Sequence, residues 1–152
     1  MLCDSIRYTS TLQDLNLSYN SINRSGAISL GSALLVNKSL RNLNISNNGI
    51  DAVGCFTVCV GVRENKTLKS LILDGNPVGE EGGRIIVKLA ASEGHRLDIS
   101  SENCDFTISC GGVKLKSSSK NINTSLLYVW LIFHLNIIRS LWQPYFRFVR
   151  LL

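Results

Sequence analysis

The chain repeats one pattern three times at a constant spacing of 28 residues. In each copy, apolar residues occupy positions 1, 4, 6 and 11, and an asparagine occupies position 9. The copies begin at Leu12, Leu40 and Leu68. A fixed period of this length predicts an array of stacked units, because one such unit cannot bury its apolar face alone. This repeat constrains the fold more than any other feature of the sequence.

The spacing of apolar residues changes within each unit. The first half alternates, as a short strand does, whereas the second half has the three- and four-residue spacing of a helix. The glycines Gly26, Gly54 and Gly82 mark the change. Each unit is therefore predicted to be strand, loop, helix, loop. Short crossovers of this kind favour parallel strands, which we expect on the inner, concave side with the helices outside.

Three segments carry the pattern in both halves: TLQDLNLSYNSINRSGAISLGSALLVNKSL, SLRNLNISNNGIDAVGCFTVCVGVRENKTL and TLKSLILDGNPVGEEGGRIIVKLA. They resemble ribonuclease-inhibitor-type leucine-rich repeats over residues 11–91. The resemblance implies an α/β fold, a right-handed leucine-rich repeat solenoid shaped as a short horseshoe. It also implies protein binding on the concave face.

The repeat register divides the chain into three parts. Residues 1–108 are predicted to form the array, with three full repeats and partial ends. Leu2 and Ile6 fall on helix columns of the next repeat, and Ile99, Cys104 and Phe106 keep part of the strand pattern. We therefore expect the chain to be a piece of a longer array. Residues 109–125, rich in Ser, Gly, Lys and Asn, are predicted to be a linker.

Residues 126–152 form an apolar, basic tail with three interpretations. The apolar run over 126–138 is shorter than the ~20 residues that span a bilayer, but it could associate with a membrane surface. The tail could instead cap the last repeat. It could also be translated intron or out-of-frame sequence, since all 11 acidic residues of the chain lie in residues 1–108.

A partner is expected to contact the strand side chains that alternate away from the core. In columns across the repeats, these positions are Asp14, Asn42 and Ser70; Asn16, Asn44 and Ile72; Ser18, Ser46 and Asp74; and Tyr19, Asn47 and Gly75. Tyr19 is the only aromatic residue among them, and aromatic residues are enriched at interface cores. A structural ladder is predicted at Asn20, Asn48 and Asn76, whose amides can satisfy backbone groups of adjacent loops.

No catalytic, cofactor or metal site is predicted. Cys55 and Cys59 fall on the packed helix face, with no neighbouring ligands to complete a tetrahedral zinc site. Residues 1–108 carry a net charge of −1, which does not favour nucleic acid as a partner. The N-terminus lacks a secretory signal pattern, so a cytoplasmic location is expected.

The sequence thus predicts a protein–protein interaction module that binds an unidentified protein through the concave face. The alternative is a membrane-associated repeat protein anchored by residues 126–152. A remote alternative is a GTPase-activating regulator, because activators of the Ran class share this repeat and loop arginines occur at Arg24 and Arg84.

Overall fold

A computed structural model describes residues 2–93, 97–110 and 113–116 of the chain. Four helices alternate with four short strands, and a hairpin follows. The elements in order are α1 (Leu2–Tyr8), β1 (Asp14–Asn16), α2 (Asn23–Leu34), β2 (Asn42–Asn44), α3 (Ala52–Glu64), β3 (Ser70–Ile72), α4 (Gly79–Glu93), β4 (Asp98–Ser100), β5 (Thr107–Cys110) and β6 (Val113–Lys116).

The first four strands form one parallel sheet in the order β1, β2, β3, β4. The pairing follows the 28-residue repeat, so that Leu15, Leu43, Leu71 and Ile99 lie side by side. The helices pack in sequence against one another, α1 on α2, α2 on α3 and α3 on α4. This arrangement confirms the predicted α/β solenoid of parallel strands and helices.

The core lies between the sheet and the helix layer. In the second repeat, Leu40, Leu43, Ile45 and Ile50 are buried, and the equivalent residues of the third repeat are buried as well. The equivalent residues of the first repeat are only half-buried, namely Leu12, Leu15, Leu17 and Ile22. The repeats therefore reach full burial only where a neighbour stacks on both sides, as expected for a solenoid.

Two glycines bring α2 and α3 into close contact. A Cβ atom at Gly61 would lie 2.3 Å from the carbonyl oxygen of Gly31, and one at Gly31 would lie 2.4 Å from the carbonyl oxygen of Thr57. Side chains at these positions would force the two backbones apart. The glycines thus set the spacing between these two helices.

The start of α3 is capped by a side chain. Asp51 precedes the helix in an extended conformation, and its carboxylate accepts a hydrogen bond from the backbone N–H of Gly54 at 3.0 Å. This bond satisfies one of the free donors at a helix N-terminus. The negative charge also suits the helix dipole.

The structure departs from the predicted linker at its start. Residues 109 and 110 belong to β5, and residues 113–116 form β6, which pairs with β5 in an antiparallel hairpin. The hairpin follows Phe106, whose ring lies against Gly83 of α4, and β5 contacts the same helix. Alternation of apolar and polar residues across a short turn accounts for this hairpin. The rest of the linker and the tail lie outside the described residues.

Within the described part of the chain, no helix is both long enough and apolar enough to cross a membrane. The tail at 126–152, on which the membrane alternative depends, is not among those residues.

Candidate functional site

We call the side of the sheet that carries the predicted contact columns the strand face. Its first column is connected by a hydrogen bond between adjacent strands. Asp14, Asn42 and Ser70 lie side by side in the strand pairing. The amide of Asn42 donates a hydrogen bond to the Asp14 carboxylate at 2.5 Å. Asp14 and Asn42 are exposed, and Ser70 is half-buried. Asp14 and Asn42 therefore present polar groups that hold each other in place.

The second column uses its amide oxygens for local turns. The Asn16 oxygen Oδ1 accepts hydrogen bonds from the backbone N–H and the hydroxyl of Ser18, at 2.9 and 2.7 Å. The Asn44 Oδ1 accepts one from the Ser46 N–H at 3.0 Å. Ile72, the third member, is half-buried. Asn16 and Asn44 thus fix the chain where it leaves the sheet, as asparagine often does at turns.

The third column is less accessible than the alternation predicts. Ser46 is only 7% exposed, so its prediction as an exposed contact residue is wrong. Ser18 is half-buried, and the Asp74 carboxylate accepts hydrogen bonds from the Ser100 hydroxyl and the Glu102 N–H, both at 2.7 Å. Strict alternation fails here because the strands end two residues earlier and the chain turns toward the helix layer.

The residues of the fourth column have backbone conformations in the left-handed region. Tyr19, Asn47, Gly75 and Asn103 have φ values of 59, 52, 65 and 54°. Glycine and asparagine adopt this conformation readily, whereas tyrosine seldom does. A Cβ at Gly75 would lie 2.2 Å from Oδ1 of Asn47, so a larger residue there would displace the Asn47 side chain. Tyr19 is the exception in the column, and it is 77% exposed.

Asparagine side chains form a ladder behind the strand ends. The Asn76 Oδ1 accepts from the N–H groups of Asn48 and Ile50, at 2.9 and 3.1 Å, and its amide donates to the carbonyls of Ile45 and Leu73, at 2.9 and 2.6 Å.

Asn48 also makes four such bonds, to the N–H groups of Asn20 and Ile22 and to the carbonyls of Leu17 and Ser46. Asn20, at the exposed end, donates only to the carbonyl of Ser18. The two inner amides thus link consecutive repeats through their backbones.

A second set of buried asparagines lies at the opposite ends of the helices. The Asn65 amide donates to the carbonyls of Leu34 and Asn37, at 2.8 and 2.9 Å, and its oxygen accepts from the Leu68 N–H at 2.9 Å. The Asn37 amide donates to the carbonyl of Ile6, and its oxygen accepts from the Leu40 N–H. This role was not predicted from the sequence. Their 28-residue spacing was the available signal.

The buried cysteines have the surroundings of unreactive thiols. The Cys55 and Cys59 sulfur atoms lie 4.0 Å apart. Their mutual hydrogen bond and burial raise the pKa of the Cys55 thiol. Burial raises the pKa of Cys104 to about 11. Thiols held protonated in this way are poor nucleophiles and poor metal ligands. In the described segments, no group of three His, Cys, Asp or Glu residues is placed to hold a metal ion.

Both arginines of the GTPase-activating alternative lie in helices, Arg24 in α2 and Arg84 in α4, so their prediction as loop residues is wrong. Each of them forms an ion pair. The Arg24 Nε donates to the Asp51 carboxylate at 2.6 Å, which lowers the pKa of Asp51. Arg84 contacts Glu80 at 2.6 Å, one helical turn away. Both side chains are therefore oriented along the array surface.

An apolar cleft of about 300 Å³ opens on the helix side, between α3 and α4. It is lined by Phe56, Cys59, Val60, Arg63, Ile85, Lys88, Leu89 and Ser92. This volume is at the lower end of the range for ligand pockets. The polar strand face and this small cleft thus lie on opposite sides of the array.

The repeats match a known family. Residues 9–31, 36–59 and 64–86 each match the family model described as Leucine Rich repeat. Residues 9–86 thus form a leucine-rich repeat array, and the predicted repeats are confirmed. The matched segments begin before each strand and end inside each helix, as the 28-residue register requires.

Several solved structures share this fold. One is titled "Leiomodin-1 Actin-Binding Site 2 (ABS2)", with a TM-score of 0.58 and 19% identity, over 64% of this chain and 57% of that one. Another is the tropomodulin C-terminal domain of Caenorhabditis elegans, with a TM-score of 0.60 and 13% identity, over 67% of this chain and 62% of that one. The chain therefore spans about three fifths of each structure. A search of curated protein sequences finds no significant match.

Proposed function

We propose that the chain is a protein-binding module whose contact surface is the strand face. The observation that carries the proposal is a row of polar side chains fixed in advance by hydrogen bonds, with the exposed ring of Tyr19 beside it. A surface that is already ordered loses little conformational entropy on binding. Tyrosine is also one of the residues that most often dominate the free energy of binding at interfaces.

Actin is the first partner to test. The leiomodin-1 structure is named for an actin-binding site, and the fold likeness to it covers 64% of this chain. At 19% identity, that likeness concerns the fold, so the contact residues must come from this chain itself. We expect Tyr19, Asn42 and Ser70 to contribute them.

The experiment measures binding of the full chain to monomeric and filamentous actin by co-sedimentation and fluorescence anisotropy. Tyr19→Asn removes the ring and keeps the backbone bend, because Asn47 and Asn103 adopt the same bend in the same column. Loss of an interface tyrosine should weaken binding about tenfold or more. Tyr8→Asn is the matched control, since Tyr8 is 76% exposed but lies at the end of α1.

A second pair of variants tests the face by obstruction. Ser70→Arg introduces a long side chain in the middle of the face and should abolish binding. Ser29→Arg introduces the same side chain on the exposed surface of α2 and should leave binding unchanged. Equal binding by the Ser70 and Ser29 variants would refute the strand face as the contact surface. If the chain does not bind actin, the same four variants can be compared in affinity purification from a lysate.

A further inference from the structure

The array divides its charges between its two loop edges. The loops that lead from a helix into the next strand carry Lys38, Arg41, Lys66 and Lys69, all exposed, and we call these four residues the basic edge. The opposite edge, where the strands end and the helices begin, carries six of the 11 acidic residues, and we call it the acidic edge: Asp51, Asp74, Glu80, Glu81, Glu102 and Asp105. The near-neutral net charge of residues 1–108 conceals this separation.

The repeat register gathers the basic edge into one patch. The Lys69 N–H donates to the carbonyl of Arg41 at 2.7 Å, so these two residues are neighbours just before adjacent strands. Lys38 and Lys66 are neighbours for the same reason, since the preceding asparagines are joined by a hydrogen bond of 2.9 Å. Adjacent strands lie about 4.8 Å apart. Four positive side chains therefore project from two adjacent loops.

The two edges differ in how their charges are neutralised. On the acidic edge, Arg24 pairs with Asp51 and Arg84 pairs with Glu80. On the other edge, the described residues contain one ion pair, between Arg63 and Glu64, which are not members of the patch. Lys66 donates to the carbonyl of Arg63 at 3.0 Å, a contact that leaves its charge uncompensated.

We propose that the basic edge binds an acidic polypeptide segment, at a surface separate from the strand face. Charge complementarity steers such encounters and favours this partner over a neutral one. The patch is short, because Asp14 and Asp98 begin the strands on either side of it. Those carboxylates would repel a nucleic acid, whose charge continues past the patch, whereas a few clustered glutamates fit between them.

The test uses the full chain and a fluorescein-labelled peptide in which four glutamates alternate with serines. In an extended peptide, alternate side chains lie on one face about 7 Å apart, which matches a patch of this size. Anisotropy is measured at low and at moderate salt, since screening should weaken the complex. The same peptide with glutamine in place of glutamate should not bind.

The first repeat supplies neutral residues for the variants. Ser10 and Gln13 occupy, one repeat earlier, the positions of the basic edge, and both are exposed. The double variant Arg41→Gln, Lys69→Gln should bind the peptide about fivefold more weakly. When Lys38→Ser and Lys66→Ser are added, the loss of affinity should exceed about tenfold. All these sites are exposed, so the variants should fold, which circular dichroism checks.

Arg24→Gln with Arg84→Gln is the matched control. It removes the same number of positive charges, but on the opposite edge. Both double variants keep the basic residues after residue 109, so attraction of the peptide to those residues is the same in each. It should alter peptide binding less than about twofold. Tyr19→Asn should leave peptide binding intact, which separates this proposal from the strand-face proposal.

Two results would overturn the inference. One is an equal loss of affinity in the two double variants, or no loss in either, because the patch would then have no special role. The other is tighter binding of a single-stranded oligonucleotide of matched charge through the same four residues, because the partner would then be a nucleic acid.

Discussion

The three asparagines of the ladder should contribute unequally to the stability of the fold. Asn20, Asn48 and Asn76 are the same residue at equivalent positions, but their surroundings differ. Asn76 is buried and joins four backbone groups at 2.6–3.1 Å, whereas Asn20 is exposed and makes one bond. Substitution of each by alanine should therefore give three different losses in the free energy of unfolding.

The magnitudes follow from the number of groups left without a partner. A buried backbone group that loses its hydrogen bond costs about 1 kcal/mol or more, so Asn76→Ala should cost about 4 kcal/mol. Asn48→Ala also frees four groups, but those of the first repeat are partly exposed and water can replace some bonds, which gives about 2–3 kcal/mol. Asn20→Ala should cost at most about 1 kcal/mol. A small domain is stable by only about 5–15 kcal/mol, so these differences are measurable.

Urea unfolding followed by far-ultraviolet circular dichroism is the assay. Circular dichroism reports on the helices of the array itself, whereas both tryptophans, Trp130 and Trp142, lie in the tail sequence. The slope of the free energy with urea should be the same in all variants. Equal losses at the three positions, or a larger loss at Asn20 than at Asn76, would refute the reasoning that the ladder stabilises neighbouring repeats through their backbones.

Three further predictions concern other parts of the array. Gly61→Ala should destabilise the fold by about 2 kcal/mol, because the added methyl group meets a carbonyl oxygen of α2; Gly79→Ala, with φ of 62° but open space around it, should cost about 1 kcal/mol in the same urea assay. Asp51→Asn should be less stable than the wild type at pH 7, and this difference in stability should disappear as the pH falls through the lowered pKa of Asp51. The pKa of Asp51 is lowered in the folded state, so its contribution is present above its unfolded pKa of about 3.9 and lost as the pH falls through the lowered value. Alkylation by iodoacetamide at pH 8 should modify half-buried Cys3 well before Cys104, whose pKa is about 11; rapid modification of Cys104 in the absence of urea, read by peptide mass spectrometry, would contradict its burial.

The sequence predicts the repeat register well, because the period has a direct physical cause. Residues 28 apart must occupy equivalent places if stacked units are to share one core, and the pairing of Leu15, Leu43 and Leu71 follows this rule. The alternation of helix and strand is equally direct, since each has its own spacing of apolar residues.

The details of the strand face were harder to predict. Alternation indicates which side a strand residue faces, but the strands here are only three residues long. Beyond their ends the backbone enters a left-handed turn, which buries Ser46 and leaves Asn47 half-buried. The mix of tyrosine, asparagine and glycine in one column was the signal for that turn.

The hairpin after β4 was missed for a related reason. Its residues include serine, glycine and lysine, which are common in linkers, and composition was given more weight than pattern. Antiparallel pairing depends on contacts between residues close in sequence, so a short alternating stretch suffices. No repeat period marks it, because it lies outside the repeats.

The glycine contact between α2 and α3 has a consequence for curvature. A solenoid bends because packed helices need about 8–10 Å between their axes while paired strands need about 4.8 Å. Gly31 and Gly61 let α2 approach α3, which reduces the difference between the helix spacing and the strand spacing. One repeat later, their equivalents Cys59 and Leu89 carry side chains that line a cleft. The strand face should therefore be flatter near Tyr19 than near Ser70, and a rigid partner that fits one end would not fit the other.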